Sequence, residues 1–201
     1  MGKISAIDIK KLWYADCISA ALTPATLKAL VGATSTGWSG GTAKEIENVH
    51  QDTWQIEEGE VSQDSYKNQL NGHVYRLGKK QMGDLTVSFT VGQYDYKTKY
   101  DLMGGIVLDA SGQAVTSPTG AATEVGWARD NEAVEKYKTI IALTTDDVYV
   151  VIARAPLNVR ESNTDKAIGL SMIGIMTDPT VDGVNSEYWY DKATVHAAQV
   201  G

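Results

Sequence analysis

Gly83-Asp84-Leu85-Thr86-Val87-Ser88-Phe89-Thr90-Val91 decides the fold class of this chain. On an extended backbone Leu85, Val87, Phe89 and Val91 fall on one side, and Thr86, Ser88 and Thr90 on the other. Strict alternation of apolar and hydroxyl residues, rich in β-branched types, marks a half-buried antiparallel strand. Its polar side carries hydroxyls rather than charges, which suits water and equally suits a neighbouring subunit.

Upstream of this strand, residues 73–77 read as another short strand. Residues 53–60 form a third, with Trp54 and Ile56 on a common face. Residues 45–50 alternate less well, because Val49 is out of phase with Ile46. The cluster Glu57-Glu58-Gly59-Glu60 reads as a solvated acidic face, since paired carboxylates do acid–base work only in a pocket that sets them apart.

Downstream, Asp95 caps a short helix with Tyr96, Tyr100 and Met103 along one stripe and Gly104-Gly105 as its stop. Residues 106–115 predict a strand and residues 116–124 a surface loop. Residues 136–144 and 148–159 predict a hairpin turning at Thr145-Asp146-Asp147. Tyr149, Val150, Val151 and Ile152 are apolar on both faces, and residues 167–177 repeat this with Ile168, Leu170, Met172, Ile173, Ile175 and Met176. Such strands need cover on the second face from a helix, another sheet or another copy of the chain.

The ends are less regular. Thr23-Pro24 reads as an N-cap and first-turn proline leading into residues 25–31, with Gly32 as the stop. Residues 32–41 are rich in Gly, Ser and Thr around Trp38, whose ring must shelter against a neighbour or fold back on its own core. From Pro179 the tail is polar until Tyr188-Trp189-Tyr190. The expectation is therefore mainly β: an antiparallel β-sandwich or small barrel, with a flanking short α-helix and long loop or terminal arms. It divides into an N-terminal arm (1–44), a β-rich core (45–178) and a C-terminal arm (179–201).

Chemistry is hard to find. The net charge of −7 argues against affinity-driven nucleic-acid binding, although an acidic wall lets a polyanion pass without sticking. Cys17, the sole cysteine, cannot form a disulfide within one chain and reads as an inert, partly buried thiol. His50, His73 and His196 lack metal-ligand spacing, and no nucleophile elbow, phosphate loop or dinucleotide fingerprint occurs. Asp146-Asp147 and residues 178–183 read as turns rather than calcium loops. No cofactor, membrane span or Sec signal is expected, and no enzyme activity. Fifteen Trp and Tyr residues stand against one Phe, a mixture favoured at interfaces. Trp13, Trp38, Tyr188, Trp189 and Tyr190 are the expected assembly contacts. The same rings could stack on sugars, which supports the alternative of a carbohydrate-binding or adhesive module.

The stretch 54–105, WQIEEGEVSQDSYKNQLNGHVYRLGKKQMGDLTVSFTVGQYDYKTKYDLMGG, resembles the major tail tube proteins of tailed bacteriophages, relatives of the inner tubes of contractile injection systems. The shared order is an acidic strand, a glycine-containing return strand, the GDLTVSF strand and a short helix ending in a glycine pair. The resemblance covers about a quarter of the chain strongly, and the later hairpin and strand agree only in topology. It implies hexameric rings stacked into a tube, contacts with other tail proteins, and DNA passing through an electronegative lumen. It also implies a place in the virion tail after synthesis in the host cytoplasm. Leu85, Val87, Phe89 and Val91 would then belong to the inner sheet, and residues 32–44 and both termini to ring stacking. The helix-like 23–31 segment ahead of the first clear strand is atypical.

Overall fold

In the computed structural model, which describes residues 8–164 and 167–199, the 85–91 segment is a strand with its apolar side inward. The elements run β1 (Ile9–Ala15), α1 (Pro24–Val31), β2 (Lys44–Ile46), β3 (Gln55–Glu58), β4 (Ser62–Lys67) and β5 (Val74–Gln81). They continue with β6 (Leu85–Val91), α2 (Tyr96–Met103), β7 (Ile106–Asp109), β8 (Glu124–Ala128), β9 (Lys136–Thr144) and β10 (Val148–Thr164). The last are β11 (Ala167–Ile175), β12 (Glu187–Asp191) and α3 (Lys192–Ala197).

The main sheet is antiparallel in the order β2-β1-β9-β10-β11-β6-β3, with β12 also paired to β10. β10 belongs to two layers. Its first half lies between β9 and β12, and its second half pairs with β11 after a register shift between Ile152 and Ala155. An irregularity of this kind bends a strand. Beyond the bend, β11, β6 and β3 face back across β1 and β9. A bridge between Val49 and Val91 ties the chain leaving β2 to the end of β6, with His50 N–H donating to the Thr90 carbonyl at 2.8 Å. The result is a mainly β, sandwich-like fold that is nearly closed along one side.

Two cores fill it. Leu85, Val87, Phe89 and Val91 meet Leu12, Tyr14, Ile140, Ile152, Leu170 and Met172 inside the sandwich, where Leu102 of α2 closes one end. On the outer face of β1, β9 and β10, Trp13, Ile141, Leu143, Tyr149 and Val151 pack against Leu22, Leu27, Val31 and Val195. Each fully buried side chain of this kind contributes roughly 1.5–3 kcal/mol of transfer free energy. The second face of β9 and β10 is thus covered by α1 and α3 of the same chain.

That cover corrects the expected arms. The described parts of segments 1–44 and 179–201 do not project: β1 lies inside the sheet, β12 extends it, and α1 touches α3. The physical reason is the doubly apolar β9–β10 hairpin, which the terminal segments bury.

Local rules hold at both longer helices. Thr23 accepts the Thr26 N–H at 3.2 Å while the Thr26 hydroxyl accepts the Thr23 N–H at 2.7 Å, and Gly32 ends α1 at φ +64°. Asp95 accepts the Thr98 N–H at 2.6 Å to start α2. The inward stripe of α2 is Thr98 and Leu102, with Tyr96 exposed, so the predicted Tyr96–Tyr100–Met103 stripe is rotated. Strand limits also shift, because β2 ends at Ile46, β7 at Asp109, and β8 begins at the end of the predicted loop.

Candidate assembly surface

β4 and β5 form a sheet of their own, and most of the hairpin is exposed. Nothing in Ser62-Gln63-Asp64-Ser65 alternates, so sequence reading passes over β4. The turn is fixed locally. Asn68 Oδ1 accepts the Leu70 N–H at 2.8 Å, Asn71 Oδ1 accepts the His73 N–H at 3.0 Å, and Gly72 takes φ +72°. This turn holds Leu70 at the apex, 94% exposed. Tyr75, Leu77 and Met82 are also open to solvent. Arg76 lies 5.7 Å from the centre of the Tyr66 ring.

Charge is unequally shared. Lys67, Arg76, Lys79 and Lys80 against Asp64 give the 62–81 hairpin +3, which leaves −10 on the remainder of a −7 chain. A basic, apolar projection therefore stands on an acidic body. At its base the Gly59 N–H donates to the Asp84 carbonyl at 2.9 Å, and a Cβ on Gly83 would lie 2.1 Å from the Gly59 carbonyl oxygen. Glycine at 83 lets the two chains cross in contact.

Beside β3 lies a groove of about 600 Å³, lined by Asp8, Trp54, Gln55, Ile56, Glu57, Thr144, Val150 and Trp189. Its floor, Thr144 and Val150, is buried, while Trp189 is 44% exposed. The Trp189 indole N–H donates to Glu187 Oε1 at 2.6 Å, which adds a third carboxylate near the rim. Among the described residues, no basic side chain lines it.

The five aromatic residues expected at assembly contacts divide differently. Trp13 is 2% exposed in the second core, 6.2 Å from both Trp38 and Tyr149. Trp38 folds back on its own chain, donating its indole N–H to the Tyr149 hydroxyl at 2.9 Å. His196 stands edge-on to Trp38, with Nδ1 2.5 Å from the Thr34 carbonyl and Nε2 3.1 Å from the Tyr149 hydroxyl. Tyr188 and Tyr190 stack at 6.1 Å, and the Tyr190 hydroxyl donates to the Leu22 carbonyl at 2.7 Å. Trp13, Trp38, Tyr188 and Tyr190 are therefore committed to the chain's own second core, because the outer face of β9 and β10 needs their apolar area. Trp189 alone of the five is an exposed aromatic.

Among the described residues no group of three or more His, Cys, Asp or Glu side chains could hold a metal, and no helix is long and apolar enough to cross a membrane. Burial pushes the Cys17 thiol up, away from a reactive thiolate. Asp147, at φ +61° in the β9–β10 turn, pairs with Lys10 at 2.8 Å and Lys192 at 3.2 Å.

Glu124 organises the loop before β8. Its carboxylate accepts the Thr119 N–H at 2.6 Å and the Gly120 N–H at 3.0 Å. The Thr119 hydrogen bond leads in holding this carboxyl below its ordinary pKa, against the opposing effect of desolvation. A depressed carboxylate stabilises the fold above the unfolded pKa and loses that contribution as pH falls through the folded one. Protection of the Thr119 and Gly120 amides, relative to the intrinsic exchange rate at each pH, should accordingly persist from neutrality through the ordinary carboxylate range and fall at lower pH, where Glu124 takes up its proton. Equal protection at pH 7 and pH 3 would contradict the role given to Glu124.

The fold and surface define a mainly β protein whose most conspicuous features are an exposed hairpin and an acidic groove. A scan against protein-family models gives no match, and no curated protein matches the chain.

Proposed function

We propose that this chain is the structural subunit of a phage tail tube, assembling into hexameric rings that stack into a conduit for the genome. The observation that carries the reading is the exposed β4–β5 hairpin, apolar and basic on an acidic body. Solvated alone, Leu70, Tyr75, Leu77 and Met82 gain nothing, whereas a contact with another subunit would bury them. The hairpin also falls within the 54–105 stretch that resembles the tail tube family. Ring number, other tail proteins as partners and a place in the virion tail come from that resemblance. The overall negative charge suits a tube through which DNA moves without adhering.

The test is electron microscopy with sedimentation of the purified full chain over a wide concentration range. Six-membered rings or stacked tubes are expected. A variant with residues 62–81 replaced by a short glycine-containing turn should retain its circular dichroism spectrum and sediment as a monomer. A parent protein that remains monomeric at every concentration would overturn the reading.

A further inference from the structure

We propose that the β4–β5 hairpin of one copy seats in the Trp54–Trp189 groove of a second copy. The inference rests on the assembly reading and adds to it the receiving surface. Three observations meet here. The hairpin carries Lys67, Arg76, Lys79 and Lys80, and the groove carries Asp8 and Glu57 with Glu187 beside its rim, so the two surfaces attract over a distance. The hairpin offers Leu70 and Tyr75, 94% and 70% exposed, while the groove offers the rings of Trp54 and Trp189 over a buried floor of Val150 and Thr144. The volume of about 600 Å³ is in the range of binding clefts and admits bulky side chains.

Among the described residues, none of the hairpin lines this groove, so the hairpin of one copy does not occupy its own groove. Hairpin and groove are different patches of one molecule, so their union is head-to-tail. Contacts of that type propagate, closing into a ring when the rotation allows and otherwise extending as a filament. This geometry is what a repeating tube needs.

The experiment is a charge exchange in the full chain, read as the concentration at half-assembly by sedimentation. The hairpin variant Lys79→Glu/Lys80→Glu and the groove variant Asp8→Lys/Glu57→Lys should each raise it at least about tenfold. The chain carrying all four substitutions should return to within about threefold of the parent. All four positions are exposed, so thermal melts should match the parent and separate assembly from folding. Leu70→Ser, at the apex, gives a second variant without charge change and should also weaken assembly. If the hairpin variant fails to assemble while the groove variant assembles like the parent, the pairing is overturned and the assembly reading survives. If the parent itself never assembles, both fall. Binding of a neutral oligosaccharide that Trp189→Ala abolishes, with assembly unaffected by that substitution, would assign the groove to sugar and likewise overturn the pairing.

Discussion

Trp13→Ala should lower the unfolding free energy by about 3–5 kcal/mol, among the largest effects of any single truncation in this chain. Trp13 is buried in the second core, against Trp38 and Tyr149 on one layer of a face that also holds Ile141, Leu143 and Val151. Removing the indole leaves a cavity that cannot collapse easily. Its neighbours are held by the rigid β9–β10 pairing on one side and by the Trp38–Tyr149–His196 hydrogen bonds on the other. Trp189→Ala is the matched control: a half-exposed ring lost from the groove should change stability by less than about 1 kcal/mol. Denaturant midpoints of the two variants decide the matter. Similar midpoints, or a Trp13 variant impaired only in assembly, would return Trp13 to the interface role that its residue type suggests.

Gly32→Ala should cost about 3 kcal/mol, through two additive strains. The residue ends α1 at φ +64°, where an L side chain costs roughly 1–2 kcal/mol. A Cβ there would also lie 2.3 Å from the Gly41 nitrogen and 2.5 Å from the Ser39 carbonyl oxygen. Those atoms are backbone, so no side-chain rotation relieves them. The crossing of Gly32 and Gly41 returns the 32–41 loop to the helix end and places Trp38 over Trp13. Gly37→Ala, with open space around it and no positive φ, should be nearly neutral. Thermal or denaturant unfolding of both variants checks the contrast, and a Gly32 variant as stable as the parent would show that the crossing is soft.

Much of this architecture is legible in residue order. The alternation from Leu85 to Val91 gives strand and inward face together, because period two leaves no other arrangement of those side chains. Thr23-Pro24 with Gly32, and Asp95 with Gly104, set both longer helices, since caps are local chemistry. The need for a second cover over β9 and β10 is also readable from Tyr149 to Ile152. Which group supplies it is not, because α1 and α3 come from opposite ends of the chain and neither has a pattern naming its partner. The same limit misplaces Trp13, Trp38, Tyr188 and Tyr190, whose mixed apolar and polar character suits a core edge as well as an interface. β4 is invisible because its residues are polar on both faces, although the Asn68 to Gly72 turn and the lysine pair at 79–80 mark its neighbourhood. The groove could not be read at all: Asp8, Trp54, Val150 and Trp189 meet only through the bend in β10 and the pairing of β12.

That dispersion imposes an order on the folding of the chain. The β4–β5 hairpin is a local element of the kind that forms in about 1–10 μs, because its two strands are joined by a short turn. The groove draws on β3, β9, β10 and β12, and contacts of such wide sequence separation close late. A chain leaving the ribosome therefore acquires its hairpin before its groove, which in the proposed pairing are the inserting and the receiving parts. Under the proposed pairing, a copy whose β12 had not yet joined β10 would have no finished site in which to receive a neighbour, so the topology would delay association until each copy was whole.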